Sequence, residues 1–198
     1  MVSDNMSERN ALRQTLYQKR QQLSFSDQKD YSEQIAKHCM QAPLFLESQN
    51  IACYLAVRHE VSCDAIIQAI FKQNKKCYLP VVHENEAGKM HFVSYVEKEK
   101  LGKNRYGILE PSFSEEREMK VEKLDLIFLP VVGFNRQGVR LGSGGGYYDR
   151  ALAMLPTKRP VLVGLAYSFQ EVYELTAEPW DVKLDLIITE KEIINSQN

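Results

Sequence analysis

Apolar positions change rhythm once along the chain, near residue 50. Before that point they are sparse and helically spaced. Residues 7–22 are rich in helix formers, and Leu12, Leu16, Tyr17 and Leu23 mark a thin apolar stripe, with Ser7 placed to cap the helix. Ser24 or Ser26 opens a second helix through about Met40, with Tyr31, Ile35, Ala36 and Cys39 on one side and Pro43 placed to stop it. After residue 50 the apolar residues come in runs of strand length: 50–57, 76–82, 124–132, 160–167 and 184–189. Near-continuous apolar strands belong to parallel sheets covered on both faces. Residues 63–73, capped by Ser62, form the helix of a β–α–β unit between the first two runs. Residues 90–96 alternate instead, the mark of an edge or antiparallel strand. Residues 97–120 are charged, with Gly102, Gly107 and Pro111, and read as an excursion across the surface. The pattern predicts one α/β domain over residues 1–198, a mostly parallel sheet preceded by a helical N-terminal segment.

Composition narrows the function. Apolar residues make up 44% and charged residues 26%, with a formal net charge of -1. There is no broad basic field to hold nucleic acid. Cys39, Cys53, Cys63 and Cys77 form no C-x-x-C pair and no zinc-finger spacing, so they read as reduced, mostly buried thiols. The opening MVSDNMSERN lacks the apolar stretch of a signal peptide, and no segment approaches the roughly 20 apolar residues of a membrane span. These features predict a cytoplasmic protein acting on neither nucleic acid nor membrane.

The chemistry concentrates in residues 130–150. Gly142, Gly144, Gly145 and Gly146 fall between an apolar run and the helical YYDRALAML. Glycines there let backbone N–H groups approach a ligand, and a helix start adds unpaired donors, which suits a polyphosphate. Arg140 stands beside the loop as a bidentate partner for phosphate, and Asp149 offers a carboxylate to Mg²⁺. The loop has neither the Lys-Ser/Thr of a P-loop nor G-x-G-x-x-G spacing. Spacing alone leaves open a second reading, a glycine turn that merely packs a helix on the sheet.

The string LPVVGFNRQGVRLGSGGGYYDRAL closely resembles the signature of the 5-formyltetrahydrofolate cyclo-ligase family, G-F-D-x-x-G-x-R-L-G-x-G-x-G-[YF]-Y-D. It departs only in Asn135 at the usual Asp. The resemblance runs over nearly the whole chain. It implies a three-layer α/β sandwich similar to sugar-phosphate isomerases and CoA transferases. It also implies a Mg²⁺-dependent reaction of ATP with 5-formyltetrahydrofolate, giving 5,10-methenyltetrahydrofolate, ADP and phosphate. Arg9 and Arg13, four apart on one helix face, match ATP contacts. Arg140, Leu141, Gly142, Ser143, Gly144, Gly145, Gly146, Tyr147 and Tyr148 match the nucleotide loop, with Arg140 and Tyr148 cast as catalytic. Ser143, Gly144, Gly145, Gly146 and Tyr147 also match the folate site, together with Leu55, Glu60 and Tyr106. Asp149 and Asp181 match the magnesium ligands. Some relatives carry Arg and Lys where this chain has Ser143 and Gly145, so Arg140, Arg9 and Arg13 carry more of the phosphate charge here.

The remaining candidates have plainer readings. His59 reads as exposed, and Trp180 as core or rim packing. Lys98, Lys100, Lys103 and Arg105 read as a solvated basic loop that could also attract a folate's anionic tail. The chain is expected to act as a monomer. Two rivals stand: another ATP-using enzyme or isomerase on the same fold, and a protein that only stores folate or nucleotide.

Overall fold

Two prolines set where the central sheet stops and the site begins. A computed structural model of the protein describes residues 2–83, 86–153 and 159–196. Its main sheet runs in the order β12-β11-β10-β7-β1-β2-β3-β6. These strands are β1 (Asn50–Ala52), β2 (Lys76–Val82), β3 (Met90–Tyr95), β6 (Glu118–Met119), β7 (Leu126–Pro130), β10 (Val161–Leu165), β11 (Leu186–Ile188) and β12 (Ile193–Asn195). The inner five, β11 to β2 in that order, are parallel, while β3, β6 and β12 run antiparallel to their neighbours. Two hairpins stand apart, β4 (Gly102–Lys103) with β5 (Leu109–Glu110), and β8 (Gly133–Phe134) with β9 (Arg140–Leu141).

The run at 50–57 pairs only as far as Ala52. Continuing the two registers of β1 would set Tyr54 opposite Pro80 and Leu55 opposite Pro130. Proline offers no N–H to a ladder. The segment 53–57 therefore leaves the sheet and carries Tyr54, Leu55 and Val57 to its carboxyl end.

Side chains alternate along the strands and so build two cores. Ile51, Leu79, Leu126, Phe128 and Val163 face one way, onto α2 (Phe25–Gln41), α3 (Pro43–Glu47) and α4 (Asp64–Lys72). Ala52, Tyr78, Ile127, Leu129 and Leu162 face the other, onto α5 (Tyr147–Leu152) and neighbouring loops. The result is a three-layer α/β structure with its second helical layer thin. α1 (Val2–Gln21) lies across the carboxyl end, its Leu16 packed with Val132, Val139, Leu141 and Leu175. Among the described residues no helix is long and apolar enough to cross a membrane, and all four cysteines are free and buried.

Several expectations shift. The first helix starts at Val2, so Ser7 lies inside it rather than capping it. Ser24 does cap α2, its hydroxyl accepting from the Asp27 N–H. Pro43 sits in the first turn of α3, where its missing N–H costs nothing. β3 is antiparallel as its alternation implied, but β6 covers its outer side. Residues 97–120 hold β4, β5 and β6 rather than a bare excursion. Met154 and Leu155, expected in the helix after the glycines, lie outside the described residues.

Lys75 ties the amino end of the sheet. Its buried ammonium donates to the carbonyls of Phe45, Leu46 and Ser48 at 3.0, 2.8 and 2.6 Å, satisfying the open end of α3. Lys75→Met is expected to cost about 2–4 kcal/mol in urea unfolding, since it strands buried acceptors. Folate and nucleotide affinities should not change, because the site lies at the other end of the strands.

Candidate active site

Where the ladder of β1 ends, a cavity of about 470 Å³ opens. Its floor is made by strand ends: Tyr54, Leu55, Pro80, Val82, Pro130 and Val132. The β4–β5 hairpin closes one side with Asn104, Tyr106 and Ile108, and the glycine loop closes another with Gly142, Ser143, Gly145 and Gly146. Tyr106 reaches across the mouth, its hydroxyl 2.7 Å from that of Tyr147, which also accepts from Arg105 Nη2 at 3.0 Å.

Three polar groups project from different elements. Glu60 follows a turn in which Arg58 and His59 take φ of 50° and 60°, and its Oε2 accepts from the Val57 N–H at 3.1 Å. Burial holds the Glu60 carboxyl above the ordinary carboxylate range, against the Val57 N–H and the charges of Arg20 and Arg58. Arg140, on β9 and nearly fully buried, donates through Nη2 to Asp149 Oδ1 and lies 5.7 Å from the ring centre of Tyr148. Burial, and next the charge of Glu60, push the Tyr148 phenol well up. It is neutral at physiological pH, a hydrogen-bond donor rather than a base.

The glycine loop separates this cavity from a second polar cluster. Arg13 Nε donates to the Gly142 carbonyl at 2.8 Å from the far side. One turn earlier, Arg9 donates to the Thr176 carbonyl and to Asp181 Oδ2, both at 3.0 Å. Burial, and then the charge of Arg9, lower the pKa of Arg13. An anion bound beside the two would relieve that repulsion. The clusters are joined by the Val182 N–H, which donates to Asp149 Oδ1 at 3.3 Å, next to Asp181 in sequence.

The residues expected at the site thus fall into three groups. Leu55, Glu60, Tyr106, Arg140, Gly142, Ser143, Gly145, Gly146, Tyr147, Tyr148 and Asp149 line one cavity. Arg9, Arg13, Gly144 and Asp181 stand outside that lining, around the loop's other side. The Leu141 side chain is wholly buried in the core beneath α1, so only its backbone faces the loop. α5 has six residues, too short for much dipole, so the loop's own N–H groups are its main asset toward an anion. Trp180, expected in core or rim packing, is 63% exposed. His59 is exposed as read.

Asn135 explains its own departure from the family pattern. Its Oδ1 accepts from the Gln137 and Val139 N–H groups, a role an aspartate also fills, and its Nδ2 donates to the buried Leu175 carbonyl at 2.7 Å.

Among the neighbours of the site that escaped the sequence reading are Tyr17, Arg20, Arg58 and Arg150. Tyr17 and Arg58 line the cavity. Arg150 donates to the carbonyls of Gly88 and Gly145, pinning the loop to the turn before β3. A signal for Arg20 exists in its spacing. Arg9, Arg13, Leu16 and Arg20 step by four, three and four, the period of an inward helix face, and all are buried or half-buried.

A cavity at the carboxyl end of a parallel sheet, walled by a glycine loop with arginine–aspartate pairs beside it, marks a small-molecule enzyme of the α/β class. The chain belongs to the 5-formyltetrahydrofolate cyclo-ligase family, a family of ligases, whose pattern it matches over residues 5–190. It is 34% identical to a 5-formyltetrahydrofolate cyclo-ligase of Haemophilus influenzae, over 93% of this chain and 99% of the relative. An NMR structure of an Aquifex aeolicus 5,10-methenyltetrahydrofolate synthetase superposes with a TM-score of 0.83 at 31% identity, covering 96% of this chain and 93% of that one. A 5,10-methenyltetrahydrofolate synthetase from Mycoplasma pneumoniae gives 0.72 at 30% identity, covering 92% and 98%.

Proposed function

We propose that this chain, acting as one monomeric domain in the cytoplasm, closes 5-formyltetrahydrofolate to 5,10-methenyltetrahydrofolate at the expense of ATP. The observation that carries the proposal is the glycine loop, placed as the wall between the cavity and the cluster of Arg9, Arg13 and Asp181. The loop can then hold the phosphates along its backbone, with the γ-phosphoryl at its rim in direct reach of a folate in the cavity. Glu60 accepts from the amino-pyrimidinone edge of the pterin, while Leu55 and Tyr106 pack on its rings. Loop N–H groups with Arg140, Arg9 and Arg13 hold the phosphates, and Tyr148 donates from the cavity wall.

The aspartates fit a magnesium ion as a half-site. Each gives one oxygen to an arginine and a backbone N–H, leaving Asp149 Oδ2 and Asp181 Oδ1 without a hydrogen bond among the described residues. No cluster of three metal-ligating side chains exists among those residues. Mg²⁺ commonly binds through one or two carboxylates and takes its other ligands from water and substrate phosphates. Bound there, it would neutralise phosphate charge.

The chemistry needs little else from the protein. A formamide carbon is a poor electrophile and its oxygen a poor leaving group. Transfer of the γ-phosphoryl to that oxygen, releasing ADP, corrects both faults. N10 then attacks at high effective concentration, the C–O bond breaks to release phosphate, and the N10 proton leaves with that phosphate. Purified protein mixed with 5-formyltetrahydrofolate and Mg-ATP is expected to develop the near-ultraviolet absorption of the methenyl product. With ¹⁸O in the formyl carbonyl, the label is expected in inorganic phosphate. Absence of the product would remove the reaction; label found in water would remove phosphorylation of the formyl oxygen.

A further inference from the structure

The polar side chain most at odds with its surroundings is Arg20. It is 1% exposed, and its Nε, Nη1 and Nη2 donate no hydrogen bond to any described residue. Its guanidinium lies 4.9 Å from the ring centre of Tyr17, a wall of the cavity. Its nearest carboxylate is Glu60, with Nη1 at 4.0 Å from Oε1. An arginine kept for architecture alone is normally saturated with acceptors, because an unsatisfied buried cation is costly. Compare Lys75, whose ammonium meets its three carbonyls within 3.0 Å. Arg20 instead keeps its charge unspent beside one carboxylate that faces the cavity.

We propose that Arg20 is a positioning residue for folate recognition: its buried charge, set behind Glu60, keeps that carboxylate ionised and oriented to accept from the amino-pyrimidinone edge of the folate. The inference rests on the proposed role of Glu60. Without a cation behind it, a carboxyl group closed into an apolar cavity would take a proton and present a donor where the ligand also presents donors. Burial pushes the Glu60 carboxyl up, and the charge of Arg20 works against that push.

The other groups around Glu60 do not replace Arg20. Arg58, in the same turn, is exposed and screened by solvent. Tyr54, Tyr148 and Tyr167 face Glu60 from the segment after β1, from α5 and from the segment after β10, and burial raises all three phenols. They are therefore uncharged across the neutral range. Gln28 of α2 donates to the Glu60 backbone carbonyl rather than to its carboxylate. His59 is exposed next to Glu60 and is common to every variant below.

The test is calorimetric binding of 5-formyltetrahydrofolate from pH 4.5, in the ordinary carboxylate range, up to pH 9, without nucleotide. The binding-competent carboxylate is the ionised one, so affinity is lost as pH falls through the Glu60 pKa. Arg20→Met raises that pKa. The midpoint of affinity against pH is therefore expected to move up by about one unit or more, which is a tenfold loss or greater below both midpoints. Affinity recovers toward the wild-type value at high pH. Arg20→Lys is expected to restore most of the wild-type profile, and ATP affinity is expected to stay unchanged. Should Arg20→Met melt below the assay temperature, Arg20→Gln, neutral but able to hydrogen-bond, carries the same test. Glu60→Gln alone should bind the folate more weakly at every pH, and adding Arg20→Met to it should produce no further pH shift. If Glu60→Gln weakens binding while neither neutral variant moves the midpoint, the role of Arg20 is overturned and that of Glu60 stands. If Glu60→Gln leaves folate affinity intact, the reading of Glu60 falls, and that of Arg20 with it.

Discussion

Asp149→Asn is expected to lower turnover by about two to three orders of magnitude while the protein stays folded. The two oxygens of this carboxylate do different things. Oδ1 accepts from Arg140 Nη2 and from the Val182 N–H, which holds β9, α5 and the segment after Asp181 together. Asparagine keeps an oxygen for both bonds. It gives up the charge opposite a buried guanidinium, so stability should fall by no more than about 3 kcal/mol, the lower end for breaking a buried pair. Its amide nitrogen takes the place of Oδ2, however, and a donor there would not hold the proposed Mg²⁺. Turnover is therefore lost far beyond stability. Raising Mg²⁺ should recover part of it if the ion binds more weakly rather than not at all. Thermal melting and kcat measured across a Mg²⁺ titration separate these effects. Near-normal kcat at limiting Mg²⁺ would remove Asp149 from the proposed metal half-site. Asp181→Asn is expected to act in the same direction, since Asp181 Oδ2 is likewise engaged by Arg9 and the Glu178 N–H.

The second large effect lies in the glycine loop, where two positions separate folding from ligand approach. Gly144 has φ of +97°, a region that β-branched residues essentially never enter. A Cβ there would meet only the Arg13 guanidinium at 3.8 Å, an ordinary contact. The demand for glycine at 144 is thus conformational rather than steric. Gly144→Val should cost about 1–3 kcal/mol of backbone strain or remodel the loop, with ATP affinity falling at least about tenfold in either case. Gly142 is the opposite. Its φ is ordinary and a Cβ meets nothing within 4 Å. Folding does not require glycine there, and Gly142→Ala should leave the melting temperature nearly unchanged. A loss of ATP affinity in Gly142→Ala at constant stability would mean that the ligand itself approaches the backbone. Unchanged nucleotide affinity in both variants would reduce the loop to a packing turn.

Periodicity and residue type were enough for much of the architecture. Runs such as 124–132 and 160–167 are apolar on both faces because both faces of the sheet are covered, and a chain cannot hide that requirement. The alternation of β3 narrowed it to an edge or antiparallel strand, and the α2 cap was narrowed to Ser24 or Ser26. The family signature in residues 130–150 identified the loop and its neighbours as a unit, since glycines at fixed spacing record where a backbone must turn without side chains. The start of α1, the hairpins β4–β5 and β8–β9, and the short strand β12 were not legible. The ladders hold only two or three residues each, too few to leave a periodic trace.

Which residues meet was decided only in three dimensions. Tyr54 and Leu55 belong to an unbroken apolar run, yet they leave the sheet because Pro80 and Pro130 stand at their level on the two flanking strands. That coincidence of register opens the cavity, and no single segment contains it. The inward face of α1 shows the same limit. Arg9, Arg13 and Arg20 have the spacing of a buried stripe but the chemistry of an exposed one, so sequence alone favours solvent. Folding places Arg9 on Asp181, Arg13 on the Gly142 carbonyl and Arg20 behind Glu60. Burial of a charge is set by long-range partners, 172, 129 and 40 residues away in these cases, and local pattern carries no information about partners at that distance.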